Sequence, residues 1–304
     1  MNKKVLHVGT RRSALAKAQT QWVTKRLLRM HPQLHLEVQE VVTTGDKVLD
    51  TSLNLMPGKG VFVKEIEEKL LAGEIDLAVH SMKDLPTEFP QGLVIGAIPE
   101  RVDPRDVLVT RLNQNLEDLP EGAKIGTSSL RRKAQLLNFR PDLKVVDVRG
   151  NIDTRLKKAG SEDYDGVVLA AAGLTRMGWE DRIQQYLSCG VMIPAVAQGA
   201  LGIEIRADDE ETLALIAPLN DSSTRRAVQA ERRFLQQMGG GCQTPMGAFC
   251  REREGTIVFQ AFCAEADGSN FHKDKLEGAI DEAMELALQL ADRLMKKSRM
   301  KDSV

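Results

Sequence analysis

Cysteine is scarce in this chain, and what little there is stands apart. Four cysteines in 304 residues (Cys189, Cys242, Cys250 and Cys263) are too few for a disulfide framework. No pair has C-x-x-C spacing, so no zinc site or other metal centre is expected. A reducing, cytoplasmic home follows. Aromatic residues make up only 4% of the chain, which leaves few platforms for stacking bases. Charge of one sign is missing too: 42 Lys+Arg against 43 Asp+Glu gives a net charge of −1. A dedicated nucleic-acid binder needs a basic surface to displace counterions, so that class is set aside. No run of about 18 apolar residues appears, which excludes a membrane-spanning helix. The opening segment Met1–Gly9 is basic and then briefly apolar, too short for a signal-peptide core, and reads as a first strand.

What is present is an ordinary globular composition, 42% hydrophobic and 28% charged. At roughly 100–200 residues per domain, the length predicts two or three domains. Short apolar runs alternate with helical patterns, which marks an α/β fold. Strands are expected at 5–9, 36–42, 75–80, 93–98, 107–110, 124–126, 144–148, 166–170 and 201–206. Helices fit 14–30, 62–72, 130–138, 152–159, 210–217 and 224–238. The tail differs: three antiparallel strands at 248–253, 256–263 and 270–275, then a long helix at 277–297. That grouping predicts a separate α+β domain from about residue 222.

An internal echo adds a second level. Val8-Gly9-Thr10-Arg11-Arg12-Ser13 resembles Ile125-Gly126-Thr127-Ser128-Ser129-Leu130-Arg131-Arg132: a strand, then Gly-Thr, then a helix start carrying Ser and Arg. Lys59-Gly60 and Arg149-Gly150 each precede a helix and a further strand at similar spacing. We expect two similar α/β domains of the type II periplasmic-binding-protein class around a cleft. Domain 1 is residues 1–99 with 200–217, domain 2 is 105–193, and the small C-terminal domain with a three-stranded antiparallel sheet is 222–304. Hinges are expected near 99–105, 194–199 and 218–221.

Three places can carry chemistry. The strand–Gly-Thr–helix turns present free backbone N–H groups and a positive dipole end to an anion, with Ser13, Thr127, Ser128 and Ser129 as caps or donors. Arg11, Arg12, Arg131, Arg132, Arg149, Arg155 and Arg176 suit a ligand with several negative charges, phosphate or polycarboxylate. Gly58-Lys59-Gly60 lacks the phosphate-loop frame. His80-Ser81-Met82-Lys83-Asp84 closes an apolar strand, and Asp84 there is either a proton donor and cation stabiliser or part of a turn before Pro86. His80 alone reads as a packed histidine. Gly239-Gly240-Gly241-Cys242 holds a helix cap and either an incidental small residue or a presented thiol. No His stands near in sequence as its base, which favours an attachment point over a hydrolase.

Taken together, these segments resemble the porphobilinogen deaminase family. The resemblance rests on Gly9-Thr10-Arg11-Arg12-Ser13, Thr44-Gly45-Asp46, Gly58-Lys59-Gly60 with Phe62-x-Lys64-Glu65, Ala78-Val79-His80-Ser81-Met82-Lys83-Asp84, Gly126 to Arg132, Arg149-Gly150-Asn151, Pro194 to Gly199 and Gly240-Gly241-Cys242-Gln243. Pro57, Ala197 and Gly239 depart from the usual pattern without removing a functional group. The resemblance implies a dipyrromethane cofactor bonded through Cys242. On it, four porphobilinogen molecules are joined head to tail with loss of ammonia, and hydroxymethylbilane is released, a step of tetrapyrrole and haem biosynthesis. It implies Asp84 as the catalytic acid and cation stabiliser. Ser81, Lys83, Asp84, Thr127, Ser128, Ser129, Arg131 and Arg132 would bind cofactor, and Arg11, Ser13, Gln19, Arg149, Arg155 and Arg176 would bind substrate. Phe62 stacks near a ring or packs in the core. A monomer is expected. The competing reading is a non-catalytic two-lobed binding protein for an anionic small molecule; it leaves the Gly-Gly-Cys loop unexplained.

Overall fold

The computed structural model describes residues 5–44, 63–239, 245–265 and 267–299. The chain gathers into two compact units, residues 1–102 with 200–225, and residues 103–199 with 226–304.

The first unit is built on strands β1 (Val5–Arg11), β2 (His35–Val41), β3 (Leu77–Ser81), β4 (Leu93–Ala97) and β10 (Leu201–Arg206), with helices α1 (Ala14–Met30), α2 (Lys64–Leu71) and α6 (Glu210–Ile216). The strand order is β2-β1-β3-β10-β4. β1 runs parallel to β2 and β3, while the returning β10 is antiparallel to β3 and β4. Leu77, Ala78, Val79, Ile203 and Ile205 are buried, as strands covered on both faces require. Within the helix expected at 62–72, Ile66 and Leu70 are buried on α2, and Phe62 lies outside the described residues.

The second unit contains β5 (Asp106–Thr110), β6 (Lys124–Gly126), β7 (Lys144–Val146), β8 (Gly166–Ala170) and β9 (Gln185–Tyr186), with α3 (Leu130–Phe139), α4 (Ile152–Lys158) and α5 (Ala171–Met177). Its strand order, β7-β6-β8-β5-β9, repeats the first sheet strand for strand, with β5 as the antiparallel returning strand. Both sheets are therefore the α/β sheet of the type II periplasmic-binding-protein class. The sequence echo has a physical cause. Gly9 of β1 packs against Ile75, and Gly126 of β6 against Tyr164 and Val167, so closely that a Cβ on either would clash. Each Gly-Thr turn then leads into a helix capped by a serine, Ser13 for α1 and Ser129 for α3.

The same unit carries α7 (Ser222–Gln237) into a three-stranded antiparallel sheet, β11 (Met246–Arg253), β12 (Thr256–Cys263) and β13 (His272–Ala279), and then α8 (Ala283–Arg299). Two expectations need correction here. The last strand runs four residues further than residue 275, and the closing helix starts at Ala283 rather than 277. Residues 272–279 alternate between half-buried and exposed, the period of a strand, and pair in register with all of β12. The Glu282 carboxylate accepts from the Ala279 N–H at 2.7 Å and so closes the turn that opens the helix. The short helix α5 is not among the helices expected from the sequence; it begins where β8 ends, too brief for a periodic pattern. Ala197 adopts φ +60°. That left-handed geometry suits glycine, and the Ala197 N–H is held by the buried Glu231 carboxylate at 2.6 Å.

Candidate functional site

In the first unit, the C-terminal ends of β1 and β3 form a pocket lined by Arg11, Ser13, Gln19, His80, Ser81 and Asp84 among others. Five expected site residues thus meet in one place. β1 delivers Arg11, and the turn after it delivers Ser13, whose Oγ caps α1 by accepting from the Ala16 N–H at 3.3 Å. Gln19 lies one and a half turns into that helix, buried, and its Nε2 donates to Ser81 Oγ at 2.9 Å. β3 ends at Ser81, and a 3-10 turn over Met82–Asp84 anchors itself through the buried Met82 and swings Lys83 and Asp84 to the exposed rim. Both serines spend their oxygen on a protein N–H, which leaves each O–H proton to donate outward. Two such hydroxyls beside a guanidinium make an anion-receiving surface, and Asp84 supplies the only carboxylate of that rim among the described lining residues.

His80 is packed, as its sequence context implied, and it faces a buried carboxylate. Its Nε2 lies 2.8 Å from Glu204 Oε2 on the neighbouring β10, with both side chains almost fully buried.

In the second unit, Thr127, Ser128 and Ser129 occupy the turn from β6 into α3. Thr127 Oγ1 accepts from the Ser129 N–H at 3.2 Å, and Ser129 Oγ accepts from the Arg132 N–H at 3.4 Å. Each therefore keeps an O–H to donate. Ser128 does not: its Oγ donates to Val148 O at 2.9 Å and accepts from Val148 N at 3.1 Å, tying the turn to the adjoining chain.

Arg131 and Arg132, expected to face ligand, converge on a carboxylate that the sequence reading missed. Asp106, at the head of β5, is fully buried. Arg132 reaches its Oδ1 through Nε and Nη2 (3.0 and 2.8 Å) and Val168 O through Nη1. Arg131 Nη1 reaches Asp106 Oδ2 and Ile193 O, and Gln198 Nε2 donates to Asp106 Oδ1 at 3.0 Å. Burial by itself raises the Asp106 pKa, but the two guanidiniums outweigh it and hold the carboxyl well below the usual range. Arg131 Nε and Nη2 have no partner among the described residues, so this side chain retains donors for a ligand. The signal in the sequence was an aspartate opening an apolar strand.

Further along, Gly150 sits at φ +109° against Thr154, a turn only glycine fits without strain, and Arg155 Nε donates back to Gly150 O at 2.8 Å. Arg149 is exposed on that turn. Arg176 ends α5, where it donates to Gly199 O at 2.7 Å, and burial lowers its pKa to about 10. Gly239, at φ +64°, closes α7, so the glycine cap is observed. Cys242 follows outside the described residues, as do Gly45, Asp46 and Gly58 to Gly60. The other cysteines are free thiols; burial pushes Cys263 up to about 11 and raises Cys189, so neither is an activated nucleophile.

Two sheets of this topology, each leading into a Ser-capped helix start with an unspent hydroxyl donor, define an α/β protein of the periplasmic-binding-protein type. Comparison makes the class specific. The family model for porphobilinogen deaminase, dipyromethane cofactor binding domain, matches residues 6–214, and that for the porphobilinogen deaminase C-terminal domain matches residues 225–296. The chain is 56% identical to porphobilinogen deaminase of Geobacillus kaustophilus over 91% of this chain and 90% of that one. It is 50% identical to those of Syntrophotalea carbinolica (97% and 94% covered) and Brevibacillus brevis (95% and 93%). Among solved structures, it is similar to the periplasmic aliphatic sulphonate binding protein SsuA from Escherichia coli, 15% identical over 78% of this chain and 71% of that one, TM-score 0.41. The chain belongs to the porphobilinogen deaminase family.

The residues present fit a dipyrromethane. Such a group carries several carboxylates, and the second unit by itself offers the unspent O–H donors of Thr127 and Ser129 with the remaining donors of Arg131.

Proposed function

We propose that this chain carries the activity for which its relatives are named: it joins four porphobilinogen molecules head to tail and releases hydroxymethylbilane. The observation that carries the reading is the pocket where Asp84 stands on the rim beside Arg11, Ser13 and Ser81. Porphobilinogen has acetate and propionate arms and an aminomethyl group. Arg11 and the hydroxyl of Ser13 receive an arm, with Arg149, Arg155 and Arg176 as further carboxylate partners and Gln19 holding Ser81 in place. Asp84 gives a proton to the departing nitrogen. The C–N bond breaks with its electron pair on nitrogen, ammonia leaves, and the regenerated Asp84 carboxylate faces the cationic methylene. That methylene bonds to the free α-carbon of the preceding pyrrole, whose proton is lost.

The dipyrromethane supplies the first such carbon when bound through Cys242. Ser81, Lys83, Thr127, Ser129 and Arg131 would hold its carboxylates. Arg132 would act chiefly through Asp106, and Ser128 through the turn it closes. The reading extends to a cytoplasmic monomer in tetrapyrrole and haem biosynthesis, with domains 1–99 plus 200–217, 105–193 and 222–304 hinged near 99–105, 194–199 and 218–221.

Intact mass is the test. Purified protein carries a dipyrromethane adduct that colours with an aldehyde reagent for pyrroles, gains mass in porphobilinogen steps, and loses the adduct in Cys242→Ser. An unmodified protein that binds porphobilinogen without turnover refutes the reading in favour of a binding protein.

A further inference from the structure

Arg131, the second residue of α3, is 7% exposed, and its guanidinium is anchored through one nitrogen. Nη1 has two acceptors, Ile193 O at 2.7 Å and Asp106 Oδ2 at 2.8 Å. The guanidinium is planar and its N–H directions are fixed, so two fixed acceptors on one nitrogen set the plane of the whole group. Each acceptor is held by a buried glutamine to which the proposed chemistry gives no role. Gln135, one turn further along α3 and 2% exposed, grips Ile193 at both ends of the residue: Nε2 donates to Ile193 O at 3.1 Å, and Oε1 accepts from the Ile193 N–H at 2.6 Å. Gln198, 1% exposed, donates through Nε2 to Asp106 Oδ1 at 3.0 Å and to Pro104 O at 2.8 Å. The backbone on either side of Gln198 is pinned as well. The Ala197 N–H is held by Glu231, and Gly199 O accepts from Arg176. Both glutamines are therefore fixed posts. A methionine would fill either space with no polar group to satisfy, so what the amides add is the bonds they make.

We propose that Gln135 and Gln198 are positioning residues for Arg131: by fixing the two acceptors of its Nη1, they set the remaining donors on Nε and Nη2 before a carboxylate arrives. Nε and Nη2 together form one edge of the guanidinium, the edge that gives a carboxylate two parallel N–H bonds. Arg132 shows that edge in use, since its own Nε and Nη2 both reach Asp106 Oδ1. An edge set in advance spares the side-chain ordering that binding otherwise costs. Without the glutamines the charge of Arg131 remains but its direction is no longer fixed. The inference rests on the reading that Arg131 holds a carboxylate of the dipyrromethane.

The test compares loaded and unloaded full-length protein. Gln135→Met and Gln198→Met keep the volume and remove the amide. Each is made in the cofactor-loaded protein, with loading checked by intact mass, and in Cys242→Ser, which lacks the attachment thiol. Each substitution is expected to lower the urea midpoint about twice as far in the loaded protein as in Cys242→Ser, because only the loaded protein also loses the arginine–carboxylate contact. A glutamine variant that folds but emerges unloaded supports the proposal equally. In the second arm, ¹⁵N NMR of Cys242→Ser follows the guanidinium of Arg131, assigned by its absence in Arg131→Lys. Separate, slowly exchanging Nη signals are expected there, and averaged ones once either glutamine is replaced. Equal midpoint losses in the two backgrounds mean a merely structural role and overturn the proposal. So do averaged Arg131 signals in Cys242→Ser with both glutamines in place. Should one glutamine variant not fold, the other decides, since each acceptor is held separately. Should neither fold, the Arg131 signals of Cys242→Ser decide: separate signals support the positioning and averaged ones refute it. A wild type without adduct defeats the functional reading and this inference with it, whereas an adduct with equal midpoint losses defeats this inference alone.

Discussion

Arg132 grips a single oxygen of Asp106 with two of its nitrogens, at 3.0 and 2.8 Å, in an interior closed to solvent. The carboxylate is shared with Arg131 and Gln198, so one buried charge aligns the start of α3 and the residues before β10. Asp106→Ala strands two guanidiniums and is expected to cost about 3–5 kcal/mol, read by urea denaturation. The sign with pH follows from the depressed carboxyl. Its contribution is complete above the ordinary aspartate pKa and fades as pH falls toward the folded value, so Asp106→Asn flattens the acid limb of the stability curve. An unaltered limb argues against the pairing.

Ser128 and Ser129 are neighbours with different duties. Ser128→Ala loses both bonds to Val148 and is expected to lower stability by about 1–2 kcal/mol, with cofactor loading intact. Ser129→Ala removes a cap worth about 1 kcal/mol and the donor that faces ligand, so loading measured by intact mass falls as well. Equal loading in the two variants would contradict the assignment.

Asp84 is exposed on its 3-10 turn, and no ion pair or side-chain hydrogen bond holds it among the described residues. Asp84→Asn is expected to keep its melting temperature and to lose on the order of 10²–10³ in turnover, the usual loss for one electrostatic stabiliser. Near-normal rates remove Asp84 from the mechanism.

Ala197 sits in the left-handed region, where a Cβ is strained. Ala197→Gly is expected to stabilise by about 0.5–1 kcal/mol, since relief of strain outweighs the added freedom of the unfolded chain. A lower melting temperature would mean that the Glu231 contact already absorbs the strain.

Glu67 affects stability in the opposite direction to Asp106. Its carboxyl is raised to about 7 in the fold, so its contribution is complete below the ordinary glutamate pKa and is lost as pH rises through 7. Wild type is expected to lose up to about 3 kcal/mol relative to Glu67→Gln between pH 4.5 and 7.5, measured by denaturant midpoints across that range. Parallel curves would show that Glu67 titrates normally.

The sequence alone reached the α/β class, both Gly-Thr turns and the pocket set Arg11, Ser13, Gln19, Ser81 and Asp84. Those features are local: a strand of buried aliphatics, a glycine demanded by close packing, a serine before a helix, and motifs whose order is itself the signal. It also reached a glycine cap within 239–241, because positive φ is written in one residue; the structure puts it at Gly239. Only the tertiary structure decided how polar atoms are spent. Asp106, Glu67, Glu204, Gln198 and Glu231 carry no local mark beyond a charge or amide near apolar neighbours. Their partners lie as much as 124 residues away, reached only when β5 and β10 pair antiparallel in the two sheets. Val148, in the chain after β7, separates Ser128, whose bonds are closed, from Ser129, whose hydroxyl is open. Secondary structure follows the period of nearby residues, whereas the state of a buried charge is set by whatever the chain folds against it.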